Sequence, residues 1–291
     1  MANDTLIAKR EHLTTILRDM KRAAVAFSGG IDSTVVAQAA YFALGEQAVA
    51  VTADSPSVPR AEVAEAQDLA KRIGIRHRLV KTDEFADPDY VRNDGTRCYH
   101  CKDELYSRIT SLLPELGVDI ICSGANLDDQ GDYRPGLAAA AEHRVRHPLQ
   151  EAGFRKSDVR ALAQEWGLPT WDKPASPCLS SRLAPGVQVT SERTARIEQA
   201  EAFLRRQGLR DVRVRLHEGE LARIEFPAAE VARCAQPAVR EAFVNELKRL
   251  GFRYVTLDMQ GFRSGSLNEL VSLELRTKFA SKNVPTHEAA S

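Results

Sequence analysis

The chain has 291 residues, 43% of them hydrophobic, and 40 Lys+Arg balance 40 Asp+Glu, giving a formal net charge of zero. That length and apolar content support one large domain or two modest ones, and two are expected. The balanced charge speaks against a dedicated nucleic-acid surface. The opening residues lack the apolar core of a signal peptide, and no apolar run approaches bilayer length, so a cytoplasmic protein without a membrane partner is expected. Five cysteines in a reducing compartment are not a disulfide framework; clustered ones there point to metal binding or thiol chemistry.

Residues 6–20 carry Leu6, Leu13, Ile16 and Leu17 on one helical stripe. The string RAAVAF then reads as a short strand that runs into Ser28-Gly29-Gly30-Ile31-Asp32-Ser33-Thr34 and a helix continued by VVAQAAYFAL. Ser33, Thr34 or Asp32 is expected to cap that helix. A strand, a Gly-Gly turn and a helix N-terminus gather backbone N–H groups and the positive end of a helix dipole around an anion, a phosphate above all. No Lys follows the second Gly, so the Walker pattern is absent; an ordinary serine- and glycine-rich turn is the plainer alternative.

Further strands are expected at 47–52, 76–81 and 118–122, with helices at 59–73, 135–142 and 157–166. Strands alternating with helices imply an α/β fold with a doubly wound parallel sheet, whose ligands sit at the carboxyl ends of the strands. Residues 167–186 are dense in Pro, Ser and Gly and read as a junction. A helix at 191–207, strands at 211–217 and 222–226, a helix at 238–250 and a strand at 253–257 suggest a smaller α+β domain with an antiparallel sheet. The expected division is 1–170, a junction loop 171–189 carrying Cys178, an α+β domain 190–280, and a flexible tail 281–291.

Three cysteines, Cys98, Cys101 and Cys178, fall in expected loops, whereas Cys122 lies in an apolar strand and Cys234 at a helix end. Incidental thiols, a zinc site and a 4Fe-4S cluster with one open iron are all compatible with three such residues. His100 lies between two of the cysteines and is awkward as a fourth ligand. Ser180, Ser181 and Arg182 follow Cys178 immediately. Arg213 and Arg215 are two apart in a strand and share a face, either around a phosphate or as a solvated face paired with carboxylates such as Glu225. Asp128 and Asp129 suit magnesium, a ribose or a solvated turn equally. His143, His147 and His217 read as structural or surface residues.

The pattern Ser-Gly-Gly-x-Asp-Ser resembles the PP-loop of the ATP pyrophosphatases, which adenylate a carboxyl or carbonyl group and release pyrophosphate. With GDYRPGL at 131–137, DVRALAQEWGL at 158–168, KPASPCLSSR at 173–182, VRVRLH at 212–217 and GFRYVTLDMQGFRSGSLN at 251–268, the chain resembles the LarE branch over nearly its whole length. The resemblance implies an adenine nucleotide alpha hydrolase-like fold and an ATP-dependent sulfur transferase. Its substrate would be a pyridinium-3,5-dicarboxylate mononucleotide on the route to the nickel-pincer cofactor of lactate racemase. On that reading Ala26, Ser28, Gly29, Gly30, Asp32, Ser33, Thr34 and Gly124 bind ATP, and Asp32 helps place Mg2+. Ser181, Arg182, Arg213 and Arg215 hold the substrate.

One departure matters. The position that aligns with the sacrificed cysteine of the family's single-use form is Pro177, one residue before Cys178, and Cys98 and Cys101 are additional. The set resembles the cluster-bearing form, in which three cysteines bind a 4Fe-4S cluster that delivers an added sulfide. The resemblance also implies a homo-oligomer, a hexamer built of trimers. Rival readings are sacrifice of the Cys178 sulfur, a tRNA thiolase, an ammonia-using amidase or synthetase of the same fold, and a non-catalytic nucleotide-binding module.

Overall fold

A computed structural model describes residues 2–130, 133–174, 176–263 and 266–282. Of the expected tail, only 281 and 282 are among them, and Gly131, Asp132, Ala175, Ser264 and Gly265 of the strings above lie outside the described residues. In chain order the elements are α1(Ala2–Met20), β1(Ala23–Ala26), α2(Ile31–Leu44), β2(Ala48–Asp54), α3(Arg60–Ile73), β3(Arg76–Lys81), α4(Pro88–Arg92) and α5(Arg97–Leu116). They continue with β4(Ile120–Cys122), α6(Pro135–Glu142), α7(Pro148–Glu151), α8(Lys156–Glu165), α9(Ser191–Arg206), β5(Arg213–His217) and β6(Leu221–Glu225). The last are α10(Val231–Cys234), α11(Pro237–Arg249), β7(Tyr254–Leu257) and α12(Leu273–Lys282).

The chain forms two compact units, one of residues 1–84, 98–176 and 274–291, the other of 85–97 with 177–273. This differs from the expected division: the crossing lies at Ser176/Pro177, and a stretch before Cys98 belongs with the C-terminal residues.

In the first unit the sheet runs β3-β2-β1-β4 with every pair parallel. Its centre is the four-residue strand β1, where Val25 registers with Ala50 on one side and Cys122 on the other. All four β1 side chains are buried, and three are Ala, small enough for helices to close on both faces. Ala23 and Val25 join Leu13, Leu17, Val35, Phe154 and Leu162 on one face, and Ala24 and Ala26 join Leu105, Ile109, Ala139 and Ala140 on the other. Helices α1, α2, α3 and α8 thus cover one side, and α5 and α6 the other. This is the doubly wound α/β arrangement, because buried parallel strands need both faces covered. Parallel pairing also brings the carboxyl ends of β1, β2 and β4 to one edge.

Helix α5 was not expected, nor were the shorter α4, α7, α10 and α12. Cys98 and Cys101 are expected in loops, but they lie in the first two turns of the 20-residue α5. Leu105, Ile109, Leu112 and Leu116 supply the helical spacing that places this segment against the sheet.

In the second unit the sheet order is β5-β6-β7. The expected antiparallel sheet is corrected to a mixed one: β5 and β6 are antiparallel, but β6 and β7 are parallel. Helices α10 and α11 between them carry the chain back to the starting end, and a crossover of that kind enforces a parallel pair. The segment 85–97 is sewn into this unit by Asn93, whose Nδ2 donates to the carbonyls of Ala184 at 2.9 Å and Val187 at 3.0 Å. Asn93 sits at φ 55° as the C-cap of α4, a left-handed conformation that Asn tolerates better than most residues.

Candidate functional site

The turn after β1 is held by its own hydroxyls. Ser33 Oγ donates to the Gly30 carbonyl at 3.0 Å, Thr34 Oγ1 to the same carbonyl at 2.9 Å, and Ser28 and Ser33 hydroxyls lie 3.2 Å apart. Gly30 is the N-cap of α2 and has no side-chain cap, which corrects the expectation that Asp32, Ser33 or Thr34 caps the helix. The hydroxyls fold back onto the turn and leave the first N–H groups of α2 without a side-chain acceptor at the cap. An uncapped helix N-terminus next to a Gly-Gly turn is an anion site, since orphan donors and the helix dipole point the same way.

Two glycines make this geometry possible. Gly29 has φ 70°, and a Cβ there would meet Ala66 Cβ at 3.3 Å. Gly124, at the end of β4, approaches α2 so closely that a Cβ would lie 2.6 Å from Ser33 N and 2.8 Å from Asp32 C. Its absent side chain lets the β4 end close over the first turn of α2. Ala26, 8% exposed, ends β1 beneath the turn.

Asp32 accepts Asn126 Nδ2 at 3.0 Å and forms an ion pair with Lys156. Asn126 opens a short 3-10 turn as its N-cap, and Asp129 returns a bond to the Asn126 N–H at 2.9 Å. Asp128 accepts the Lys156 N–H at 2.7 Å and Arg155 Nη1 at 2.8 Å. Those partners, the backbone donor first, hold its carboxyl below the usual range although the group is exposed. Asp128 and Asp129 therefore organise a turn rather than lying free in solvent. Asn126 and Lys156 were missed by sequence reasoning; only the Asn at the strand end and the Lys at a helix start signalled them.

Burial divides the five cysteines. Cys122 is fully buried, and desolvation pushes its thiol up to about 12. Cys234 is buried and raised for the same reason. Both are poor thiolates. Cys98 is exposed, Cys101 and Cys178 are partly exposed, and none of the five is in a disulfide. Cys98 and Cys101 are one helical turn apart and so share a face of α5, at the end where the helix dipole favours negative ligands. Beside them Tyr99 donates to Glu142 at 2.6 Å, a bond that with burial raises the phenol to about 12. His143 pairs with Asp103 at 2.8 Å, and His147 with the Ser123 hydroxyl at 2.8 Å, which gives both the structural part expected of them.

In the second unit Cys178 precedes a short 3-10 turn, Leu179–Arg182. Arg182 is 1% exposed and its guanidinium is fully engaged by this turn: Nε meets Glu201 at 3.1 Å, and Nη1 donates to the carbonyls of Cys178, at 2.9 Å, and Pro177. Ser181 Oγ also donates to the Cys178 carbonyl, at 2.6 Å. Both residues, expected on substrate, are seen holding the Cys178 backbone. Arg97 Nη1 donates to the Ser180 carbonyl at 2.7 Å, and Tyr90 OH lies 2.7 Å from Ser180 Oγ.

Arg213 and Arg215 share a face, as expected, but the face is not solvated: they are 9% and 6% exposed. Arg215 Nε donates to Glu225 at 3.0 Å, and Nη1 to the Ser181 carbonyl at 3.2 Å. Arg213 lies over Phe262 with 5.1 Å from its guanidinium carbon to the ring centre. Burial, then the positive charge of Arg182, pulls its pKa down despite Glu201. Two buried carboxylates organise the cluster. Glu201 serves Arg182 and Arg205, and Glu225 serves Arg215 and Arg223. Burial opposes the ionisation of Glu201, but Arg182 and Arg205 outweigh it and its pKa is lowered. Such a group offers partly desolvated guanidiniums to an anion with two or more oxygens.

The pattern of the NAD synthase family matches residues 11–91 of the chain. An uncharacterised protein of Synechocystis is 46% identical over 92% of this chain and 99% of its own length. Pyridinium-3,5-bisthiocarboxylic acid mononucleotide synthase of Lactiplantibacillus plantarum is 40% identical over 95% of this chain and 99% of its own. A tRNA-specific 2-thiouridylase of Azorhizobium caulinodans is 30% identical over 53% of this chain and 49% of its own. Among the described residues no helix is long and apolar enough to cross a membrane.

Proposed function

We propose, from the premise that this chain belongs to the LarE family of ATP-dependent sulfur transferases, that it converts the carboxylates of a pyridinium-3,5-dicarboxylate mononucleotide to thiocarboxylates. The observation that carries the first half-reaction is the uncapped N-terminus of α2 behind the Gly29-Gly30 turn, with Gly124 closing over it. The amides of that turn, with Ser28, Ser33 and Thr34, hold the ATP phosphates, and Asp32, a partly exposed carboxylate, suits Mg2+ as an oxygen ligand. A substrate carboxylate oxygen attacks the α-phosphorus, the bond to the bridging oxygen breaks, and pyrophosphate leaves. Positioning and charge neutralisation supply most of that acceleration.

Sulfur then forms a bond to the acyl carbon as the bond to AMP breaks. Arg213 and Arg215 are the substrate phosphate ligands in this reading, and Arg182 and Ser181 act beside them by fixing the Cys178 turn. Cys98, Cys101 and Cys178 are three accessible thiols beside two inert ones, a donor set that fits three-cysteine ligation of a 4Fe-4S cluster. When bound, that group supplies sulfide and leaves the polypeptide unconsumed. The assembly carried by this reading is a cytoplasmic homo-hexamer.

Anaerobic metal analysis tests the sulfur route. Iron and acid-labile sulfide are expected in the purified protein, lost when any of the three cysteines is replaced by Ser. Stoichiometric zinc without sulfide refutes the cluster. Loss of one sulfur from the protein mass at Cys178 after turnover replaces catalytic delivery with sacrifice. Failure to release pyrophosphate with substrate refutes the adenylation, and light scattering tests the hexamer.

A further inference from the structure

The ammonium of Lys156 forms an ion pair with Asp32, the carboxylate in the first turn of α2. Its position is set from the backbone. Lys156 opens α8, and its N–H is clamped by Asp128 at 2.7 Å while Arg155 holds the other oxygen of Asp128 at 2.8 Å. Asn126, two residues before Asp128, donates to the remaining oxygen of Asp32 at 3.0 Å. Asp32 therefore has one oxygen on a neutral donor and the other on a cation.

The pair is also open to exchange. The Lys156 and Asp32 side chains are 38% and 25% exposed, and an ion pair in such a place is weakly held. A divalent cation brought by a triphosphate needs a carboxylate oxygen. Asp32 offers its lysine-paired oxygen to that cation at full charge once the ammonium leaves. The ammonium, anchored at its backbone, then faces an anion-binding turn.

We propose that Lys156 is a further nucleotide-binding residue: its ammonium neutralises Asp32 in the absence of nucleotide and passes to a phosphate oxygen when ATP binds, which leaves Asp32 to the Mg2+ that accompanies the nucleotide. The proposal rests on the assignment of ATP to the turn after β1. It distinguishes Lys156 from a brace of the fold, because removing it must shift two ligands in opposite directions. Metal-free ATP loses a charge-assisted contact, whereas a lone divalent cation loses a competitor for Asp32.

The test measures ATP binding in the presence of a chelator, and Mn2+ binding alone, on the full chain. Lys156→Ala is expected to bind metal-free ATP about tenfold more weakly, the scale of one hydrogen bond to a charged group, and Mn2+ several-fold more tightly. Lys156→Arg restores most of the ATP affinity. Lys156→Gln, which keeps the first two methylenes and a polar end without the charge, gives the same split if the alanine variant folds poorly. Affinities that fall together, or either one unchanged, overturn the proposal. A wild-type chain that does not bind ATP overturns the assignment of the turn instead.

Discussion

Replacing Gly124 by Ala tests whether close approach at the end of β4 builds the nucleotide site. The added Cβ would stand 2.6 Å from Ser33 N, 2.8 Å from Asp32 C and 3.0 Å from Ser33 Cα, all backbone atoms of the first turn of α2. Side chains can swing away from such a contact, but a helix start cannot. The backbone of Gly124 lies outside the left-handed region, so Ala meets no conformational penalty of its own. In open space this substitution would stabilise the chain by about 0.4–1 kcal/mol through its unfolded state. Overpacking against backbone costs about 1–3 kcal/mol. The net expectation is a loss of about 1–2 kcal/mol, seen as a lower urea midpoint at unchanged slope. ATP affinity should fall by about tenfold or more, since roughly 1.4 kcal/mol of misplaced donors is enough. A variant as stable as wild type that binds ATP equally well would refute the reasoning.

The arginine cluster gives two further expectations. Arg213→Ala should weaken substrate binding while ATP binding stays nearly intact, and isothermal titration with each ligand separates the two. Glu201→Gln should cost about 3–5 kcal/mol, because it leaves Arg182 and Arg205 without their shared buried carboxylate. The lowered pKa of Glu201 means that its contribution is present above the ordinary carboxylate range near about 4.3 and is lost as pH falls through the folded value. The Gln variant should therefore show a flatter acid limb in unfolding followed against pH. Finally, Cys122→Ser should leave anaerobic iron and sulfide content unchanged, because that thiol is sealed in β4, and a loss of both would reopen the division of the cysteines by burial.

The alternation of strands and helices around β1 was legible because buried parallel strands read as short apolar runs between turn residues. The shared face of Arg213 and Arg215 was legible too, since strand periodicity alone places it. What covers that face was not. The register that sets Arg213 opposite Glu225 and Arg215 opposite Arg223 depends on how β5 meets β6, a contact between segments that local pattern does not encode. Helix α5 was missed although Leu105, Ile109, Leu112 and Leu116 spell it out, because the Cys-x-x-Cys at its start drew a loop assignment. The cap of α2 was misassigned for a related reason: three residues with capping side chains stand in its first turn, but the Ser33 and Thr34 hydroxyls satisfy the turn itself and Asp32 pairs with Asn126 and Lys156. Lys156 and Asn126 meet at Asp32 from 124 and 94 residues away in the chain, a distance no motif spans.

The path of residues 85–97 has a consequence for how the protein is made. The chain crosses between its two units four times, at 84/85, 97/98, 176/177 and 273/274. As the ribosome releases it, the stretch holding Tyr90, Asn93 and Arg97 emerges 83 to 94 residues before the Ser180, Ala184 and Val187 groups that will satisfy it. A fragment cut at the apparent junction would therefore carry an orphaned clasp, and the C-terminal piece would lack one. Any dissection of this enzyme into separately expressed halves has to transplant that thirteen-residue clasp, because the unit that depends on it is discontinuous in the gene.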